Sequence, residues 1–155
     1  MMQIEKKVGE AYPELDSMIK TFQRVPGSAF EQIYEDGLTV IAAEPNKLTW
    51  QFIVEDKHTN RYGNLHGGLV ATLIDMCSSF ALKLSKGVQW ELIGVSTNMS
   101  IAYMKGVAPG NKIKLVSEVE HVGRTLANIY TKIYNEQGQL CYSGSHSKFN
   151  NAAKL

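Results

Sequence analysis

Residues 60–84 read NRYGNLHGGLVATLIDMCSSFALKL, and from residue 69 onward the run has the length and apolar content of a helix that is hydrophobic on nearly every side. Such a helix belongs inside a protein, covered from all directions. It carries one carboxylate, Asp75. A carboxylate in that setting is strongly unfavourable unless something pairs or hydrogen-bonds it, so Asp75 is either neutralised structurally or kept for chemistry. Just upstream, His66, Gly67 and Gly68 open the helix, where unpaired backbone N–H groups and the positive end of the helix dipole can receive partial negative charge. One stretch therefore supplies both a carboxylate and a set of anion-stabilising donors.

A membrane-spanning reading of residues 69–84 fails, since at 1.5 Å per residue they reach only about 24 Å, and they include Asp75 and Lys83. The chain of 155 residues suits one domain with a sizeable core. Sixteen Lys and Arg against fifteen Asp and Glu leave a net charge of +1, with no basic run dense enough for a nucleic-acid partner. Two cysteines, Cys77 in the apolar helix and Cys141 in an expected strand, do not make a disulfide framework, and Cys77 reads as packing. The first residues carry no secretory apolar stretch, and Glu5, Glu10, Glu14 and Asp16 are too acidic for a transit peptide. A reducing compartment is the expectation: the cytoplasm, with the mitochondrion as alternative.

Along the chain, Leu15, Met18, Ile19 and Phe22 recur at helical spacing and predict a short amphipathic helix over residues 13–25. Strand-like runs follow over residues 30–34, 38–43 and 47–54, separated by turns at Glu35-Asp36-Gly37 and Pro45-Asn46. After the long helix come residues 92–104, 112–120, 126–134 and 139–149. In the first of these, alternation puts Val95, Thr97, Met99, Ile101 and Tyr103 on one face and Ser96, Asn98 and Ser100 on the other. The predicted order is strands, one buried helix, then an antiparallel meander. A sheet of five or six strands can wrap only part of such a helix, so a second copy of the chain is expected to complete the cover. The expected organisation is an N-terminal helical segment over 1–28, one α+β domain over 29–150 and a tail over 151–155.

Asn60, then His66-Gly67-Gly68, then Asp75, followed by Val95-Ser96-Thr97-Asn98-Met99-Ser100-Ile101-Ala102-Tyr103-Met104, closely resembles the hotdog-fold acyl-coenzyme A thioesterases of the PaaI-like class. The resemblance runs over about residues 37–150. It implies a hotdog fold, an antiparallel sheet curled around the central helix, with active sites at the interface of a homodimer or homotetramer. It also implies hydrolysis of fatty or aryl acyl-CoA, with coenzyme A as part of the substrate and no separate cofactor. By the same resemblance, the Gly67 N–H and the Asn60 amide polarise the thioester carbonyl. Asp75, from the other subunit, serves as general base with Ser96 helping to hold the water, and His66 positions Asn60 or the leaving thiolate. Direct attack by Asp75 through an anhydride is the alternative route. The resemblance places the nucleotide end of the substrate against Tyr103, Met104, Lys105, Gly123, Arg124, Thr125 and Lys148, of which Arg124 and Lys148 suit phosphate as a fork and a point charge. The chain departs from the family at Asn98, at Lys105-Gly106-Val107-Ala108 and in a longer loop over residues 86–91.

Other chemistries fare worse. HGG also occurs in the oxyanion loop of lipases, but no G-x-S-x-G is present. His58, His66, His121 and His146 lack metal-ligand spacing, and neither a P-loop nor a dinucleotide fingerprint appears. Two alternatives stay open: an enoyl-thioester hydratase using His66 with Asp75, and an acyl-CoA-binding module without turnover.

Overall fold

Seven strands and one long helix make up the body of the molecule in the computed structural model, which describes residues 1–24 and 30–152. The sheet is ordered β1-β2-β3-β5-β6-β7-β4, with β1 Gln3–Ile4, β2 Leu38–Glu44, β3 Lys47–Ile53, β4 Val95–Tyr103, β5 Lys112–Val122, β6 Leu126–Tyr134 and β7 Leu140–Phe149. All pairings are antiparallel except β1 with β2, which is parallel. The expectation of five or six strands is thus corrected to seven, because β1 adds a two-residue edge that is too short to show a period. Helix α3, Gly67–Ala81, lies across the concave face, and a 3-10 turn over Leu82–Leu84 extends it.

Leu69, Val70, Leu73, Ile74, Cys77 and Phe80 of α3 are buried against Leu48, Trp50, Phe52, Leu115 and Ile129 of the sheet. The rings of Trp50 and Phe80 meet edge to face at 5.7 Å. Gly144 of β7 permits close approach, since a Cβ there would stand 3.1 Å from Ile74 Cδ1 and 3.0 Å from the Ser100 carbonyl oxygen. Residues 67–84 are apolar and long enough to cross a membrane, yet they form this core. Cover is incomplete along one stripe. Gly68, Ala71, Thr72, Asp75 and Met76, spaced three and four apart, remain partly or fully exposed.

The amphipathic segment forms helix α2, Pro13–Arg24, preceded by a short helix α1, Lys6–Ala11, that the periodicity did not show. Leu15 and Ile19 are buried, and Phe22 meets Phe80 edge to face at 5.6 Å, so α2 caps the C-terminal end of α3. The expected helix end at Val25 and domain boundary at 28/29 lie outside the described residues, as do 153–155 of the expected tail.

Residues 30–34 are not a strand. Glu31–Ile33 and Glu35–Gly37 are 3-10 turns, with Phe30 58% and Ile33 40% exposed and only Tyr34 and Gly37 buried. That pattern buries one residue per turn, and the segment is held by the His58 ring, whose Nε2 bonds the Ile33 carbonyl at 2.8 Å. At the β2–β3 hairpin, Asn46 takes a φ of 63° and ties the turn to the end of the central helix: its N–H donates to the Leu84 carbonyl at 2.7 Å and its Oδ1 accepts from Lys86 N–H at 2.8 Å.

Candidate active site

The carboxyl group of Asp75 leaves α3 on the uncovered stripe, with its side chain 42% exposed, and faces the last two strands of the sheet. Ser96 on β4 donates to Asp75 Oδ1 at 3.1 Å. This meeting depends on an irregularity. The register of β4 against β7 shifts between Ser96 and Asn98, so Ser96 pairs with Lys148 and Met99 with His146. The extra residue, Thr97, forms a bulge that turns Ser96 onto the helix side together with Met99. Simple alternation had placed Ser96 on the opposite face, and the structure corrects that.

Behind Ser96 stands His146, which the sequence reading did not include. Its Nε2 lies 2.9 Å from Ser96 Oγ and 3.6 Å from Asp75 Oδ1, and its Nδ1 lies 2.7 Å from Ser78 Oγ. The ring is fully buried, and burial followed by the charge of Lys148 pulls its pKa down to about 4, against the opposing pull of Asp75. His146 is therefore neutral at pH 7. Ser96 has one hydroxyl proton and gives it to Asp75, so a neutral His146 carries its proton on Nε2 and donates it to Ser96, leaving Nδ1 to accept from the Ser78 hydroxyl, which also lies 3.2 Å from the Asp75 backbone carbonyl. Period two along β7 could have exposed this, because His146 shares a strand face with Lys148.

Lys148, expected at the nucleotide, is found elsewhere. Its side chain is only 3% exposed, its Nζ donates to Ser79 Oγ at 2.7 Å, and it stands 3.9 Å from Asp75 Oδ1. A phosphate in solvent cannot reach it. Burial lowers its pKa from the ordinary lysine range, and Asp75 opposes that shift. Ser79 in turn donates to the Asp75 backbone carbonyl at 2.6 Å.

The other half of the expected site gathers at the start of α3. His66 is the N-cap, and its Nδ1 accepts the Gly68 N–H at 3.0 Å. Since His66 takes that donor, the Gly67 N–H is left with no partner among the described residues, as the first helical position allows. Asn60 sits in the preceding loop with its Oδ1 accepting from Tyr62 N–H at 2.9 Å and Asn64 N–H at 3.3 Å. These bonds fix the amide, and its Nδ2 has no partner among the described residues. His66 bonds the helix rather than Asn60. Tyr103 packs against Gly67, where a Cβ would come within 3.3 Å of Tyr103 Cε1, and its hydroxyl donates to the Gly67 carbonyl at 3.1 Å. A largely apolar cavity of about 280 Å³, lined by Phe30, Ile33, His58, His66 and Leu69 among others, adjoins this corner.

The two halves do not meet within one chain. Asp75 lies eight positions after Gly67 on α3, a rise of about 12 Å, so neither Gly67 nor the neighbouring His66 pairs with that carboxylate. The expected nucleotide contacts divide as well. Tyr103, Met104 and Lys105 lie at one end of β4, where the N–H groups of Met104 and Lys105 both donate to the Cys141 carbonyl and Lys105 Nζ bonds Gln139 Oε1. Gly123, Arg124 and Thr125 form the β5–β6 turn at the other end of the sheet. There the Gly123 carbonyl accepts from Trp90 Nε1 at 2.8 Å, and Asn150 bonds the carbonyls of Arg124 and Thr125. The Arg124 guanidinium is exposed without a partner among the described residues. Cys77 and Cys141 are free and buried, and among the described residues no group of three His, Cys, Asp or Glu could hold a metal ion.

Residues 62–142 match the model of the Thioesterase superfamily. The chain belongs to that superfamily. Mouse acyl-coenzyme A thioesterase 13 is 37% identical over 136 residues, covering 86% of this chain and 92% of the mouse protein. The crystal structure of zebrafish thioesterase superfamily member 2 superposes with a TM-score of 0.76 at 34% identity, over 88% of this chain and 98% of that one. The same fold, at 24% identity and a TM-score of 0.67, is seen in a Streptococcus mutans protein solved bound to acetyl CoA, over 76% of this chain and 91% of that one. The superfamily's sheet wrapped on a single long helix is the hotdog architecture expected from the HGG and Asp75 motifs.

Proposed function

We propose that this protein hydrolyses acyl-CoA thioesters in a site shared by two copies of the chain. One observation carries the reading. The Gly67 N–H with the nearby Asn60 amide, and the carboxylate of Asp75 with its Ser96 donor, are complementary halves whose anchors, Gly67 and Asp75, stand about 12 Å apart along α3. Acyl transfer needs them within about 3 Å of the same carbonyl. A partner related by a two-fold axis, lying antiparallel along the uncovered stripe of α3, brings the Gly67 of each copy toward the Asp75 of the other and makes two such sites. The unpaired outer edge of β4, with Val95 and Tyr103 exposed, offers the adjoining surface.

The chemistry follows from the groups. The thioester carbonyl oxygen accepts from Gly67 N–H and Asn60 Nδ2, which draws electron density off the carbon. Asp75, with one oxygen held by Ser96, takes a proton from a water as the water oxygen bonds that carbon. The tetrahedral oxyanion rests on the same two donors and then collapses, breaking the C–S bond. The proton on Asp75 passes to the departing thiolate, giving a free acid and coenzyme A. His146 keeps the Ser96 hydroxyl pointed at Asp75 and takes no part in the proton count.

Support comes from the 37% identity to a protein named as an acyl-coenzyme A thioesterase. A panel of acyl-CoA substrates of graded chain length, read by release of free thiol, tests the reading. Turnover well above the rate without enzyme is the expected result. Binding without thiol release, or hydration of an enoyl-CoA in its place, contradicts it.

A further inference from the structure

We propose that Lys148 is the counter-ion of Asp75, a positioning residue that holds the carboxylate in place, rather than a contact to the substrate's phosphates. The inference rests on the reading of Asp75 as the proton acceptor. Two periodicities bring the pair together. On α3, Ser79 follows Asp75 by four residues and so shares its face, while on β7, His146 and Lys148 alternate onto the side facing that helix. The ammonium at the end of Lys148 therefore sits between Ser79 Oγ, at 2.7 Å, and Asp75 Oδ1, at 3.9 Å.

A buried ammonium is retained only where its charge is answered. Among the described residues, Lys148 has one hydroxyl acceptor in Ser79 and one negatively charged neighbour in Asp75. The other groups around the carboxylate carry no charge at pH 7: His146 is neutral, Ser96 is a hydroxyl, and burial holds Cys77 and Tyr34 protonated by raising both of their pKa values. Ser79 also fixes geometry, since it receives the ammonium and donates its own proton to the Asp75 backbone carbonyl at 2.6 Å. Lys148 thus answers the charge of Asp75 from the sheet side and, through Ser79, is tied to the backbone that carries it.

The test compares Lys148→Met, which keeps the stem and removes the charge, with Lys148→Arg and Ser79→Ala, following kcat/KM for an acyl-CoA across pH. With Lys148→Met the acid limb of the profile moves to higher pH, as removal of an opposite charge beside the proton acceptor requires, while KM is little changed. Lys148→Arg restores the limb, and Ser79→Ala moves it in the same direction by less. A limb that stays put in both Lys148→Met and Ser79→Ala overturns the proposal, as does a rise in KM without a moved limb, the signature of a phosphate contact. Should Lys148→Met fail to fold, Ser79→Ala alone decides by the same criterion. Carbon-13 titration of the Asp75 carboxyl in the resting protein reads the coupling without turnover, so a chain that hydrolyses no acyl-CoA can still support or refute the pairing.

Discussion

Ser96, on the exposed edge strand, donates its hydroxyl proton to Asp75 on the core helix across 3.1 Å, and a bulge at Thr97 is what turns it there. Ser96, His146 and Lys148 all approach Oδ1, which leaves Oδ2 without a partner among the described residues. A base that is half held and half free suits a carboxylate that must bind a water and then take its proton.

Replacing that base isolates its role. Asp75→Asn keeps size and polarity but removes the proton acceptor, so kcat should fall by roughly 10²- to 10⁴-fold with KM nearly unchanged. The chain should still fold but with a lowered melting temperature, because the amide is cheaper to bury than a carboxylate yet leaves the buried Lys148 ammonium without its counter-charge. Steady-state kinetics together with a thermal melt check both halves, and wild-type kcat in this variant would make Asp75 structural.

Stability should depend on pH through His146. Its folded pKa of about 4 lies below the ordinary 6.5. Between those values the unfolded chain binds more protons than the folded one, so stability rises with pH across the window. The neutral ring's contribution is fully present above pH 6.5 and is lost as pH falls toward 4. Urea unfolding midpoints between pH 7 and pH 4.5 should drop more steeply in wild type than in His146→Gln, and equal slopes would show that His146 is not held neutral.

Arg124 should act on binding alone. Its backbone is pinned by Asn150 while its guanidinium is exposed, with no partner among the described residues. Loss of a charge-assisted contact of about 1.5–3 kcal/mol predicts a KM for acyl-CoA raised by roughly 10- to 100-fold in Arg124→Ala. The KM for an acyl thioester lacking the nucleotide should stay the same. Equal effects on both substrates would exclude a nucleotide contact.

The central helix, its lone carboxylate and the donor-rich HGG start were legible because each depends on residues close in sequence. So were the β2 and β3 hairpin and the meander of β5, β6 and β7, whose alternation and turns are local. Other features depend on partners far along the chain. The 3-10 turns at Glu31–Ile33 and Glu35–Gly37 imitate a strand in composition and are set by His58. The bulge that reverses Ser96 exists only in the pairing of β4 with β7. Likewise Lys148 looked like a surface cation until β7 was laid over Ser79, and His146 had no neighbour in sequence to mark it.

The sharing of each site between two copies is tested most directly by subunit complementation. Asn60→Ala and Asp75→Asn each disable one half, so either protein alone should be nearly inactive. After the two are mixed under conditions that let subunits exchange, half the dimers are mixed, and each of these holds one site built from two intact halves. Activity should recover to about a quarter of wild type, the fraction of intact sites expected from random pairing in a two-fold dimer. Activity that stays at the sum of the two parents after proven exchange would place Asn60 and Asp75 in the same chain's site and contradict the account.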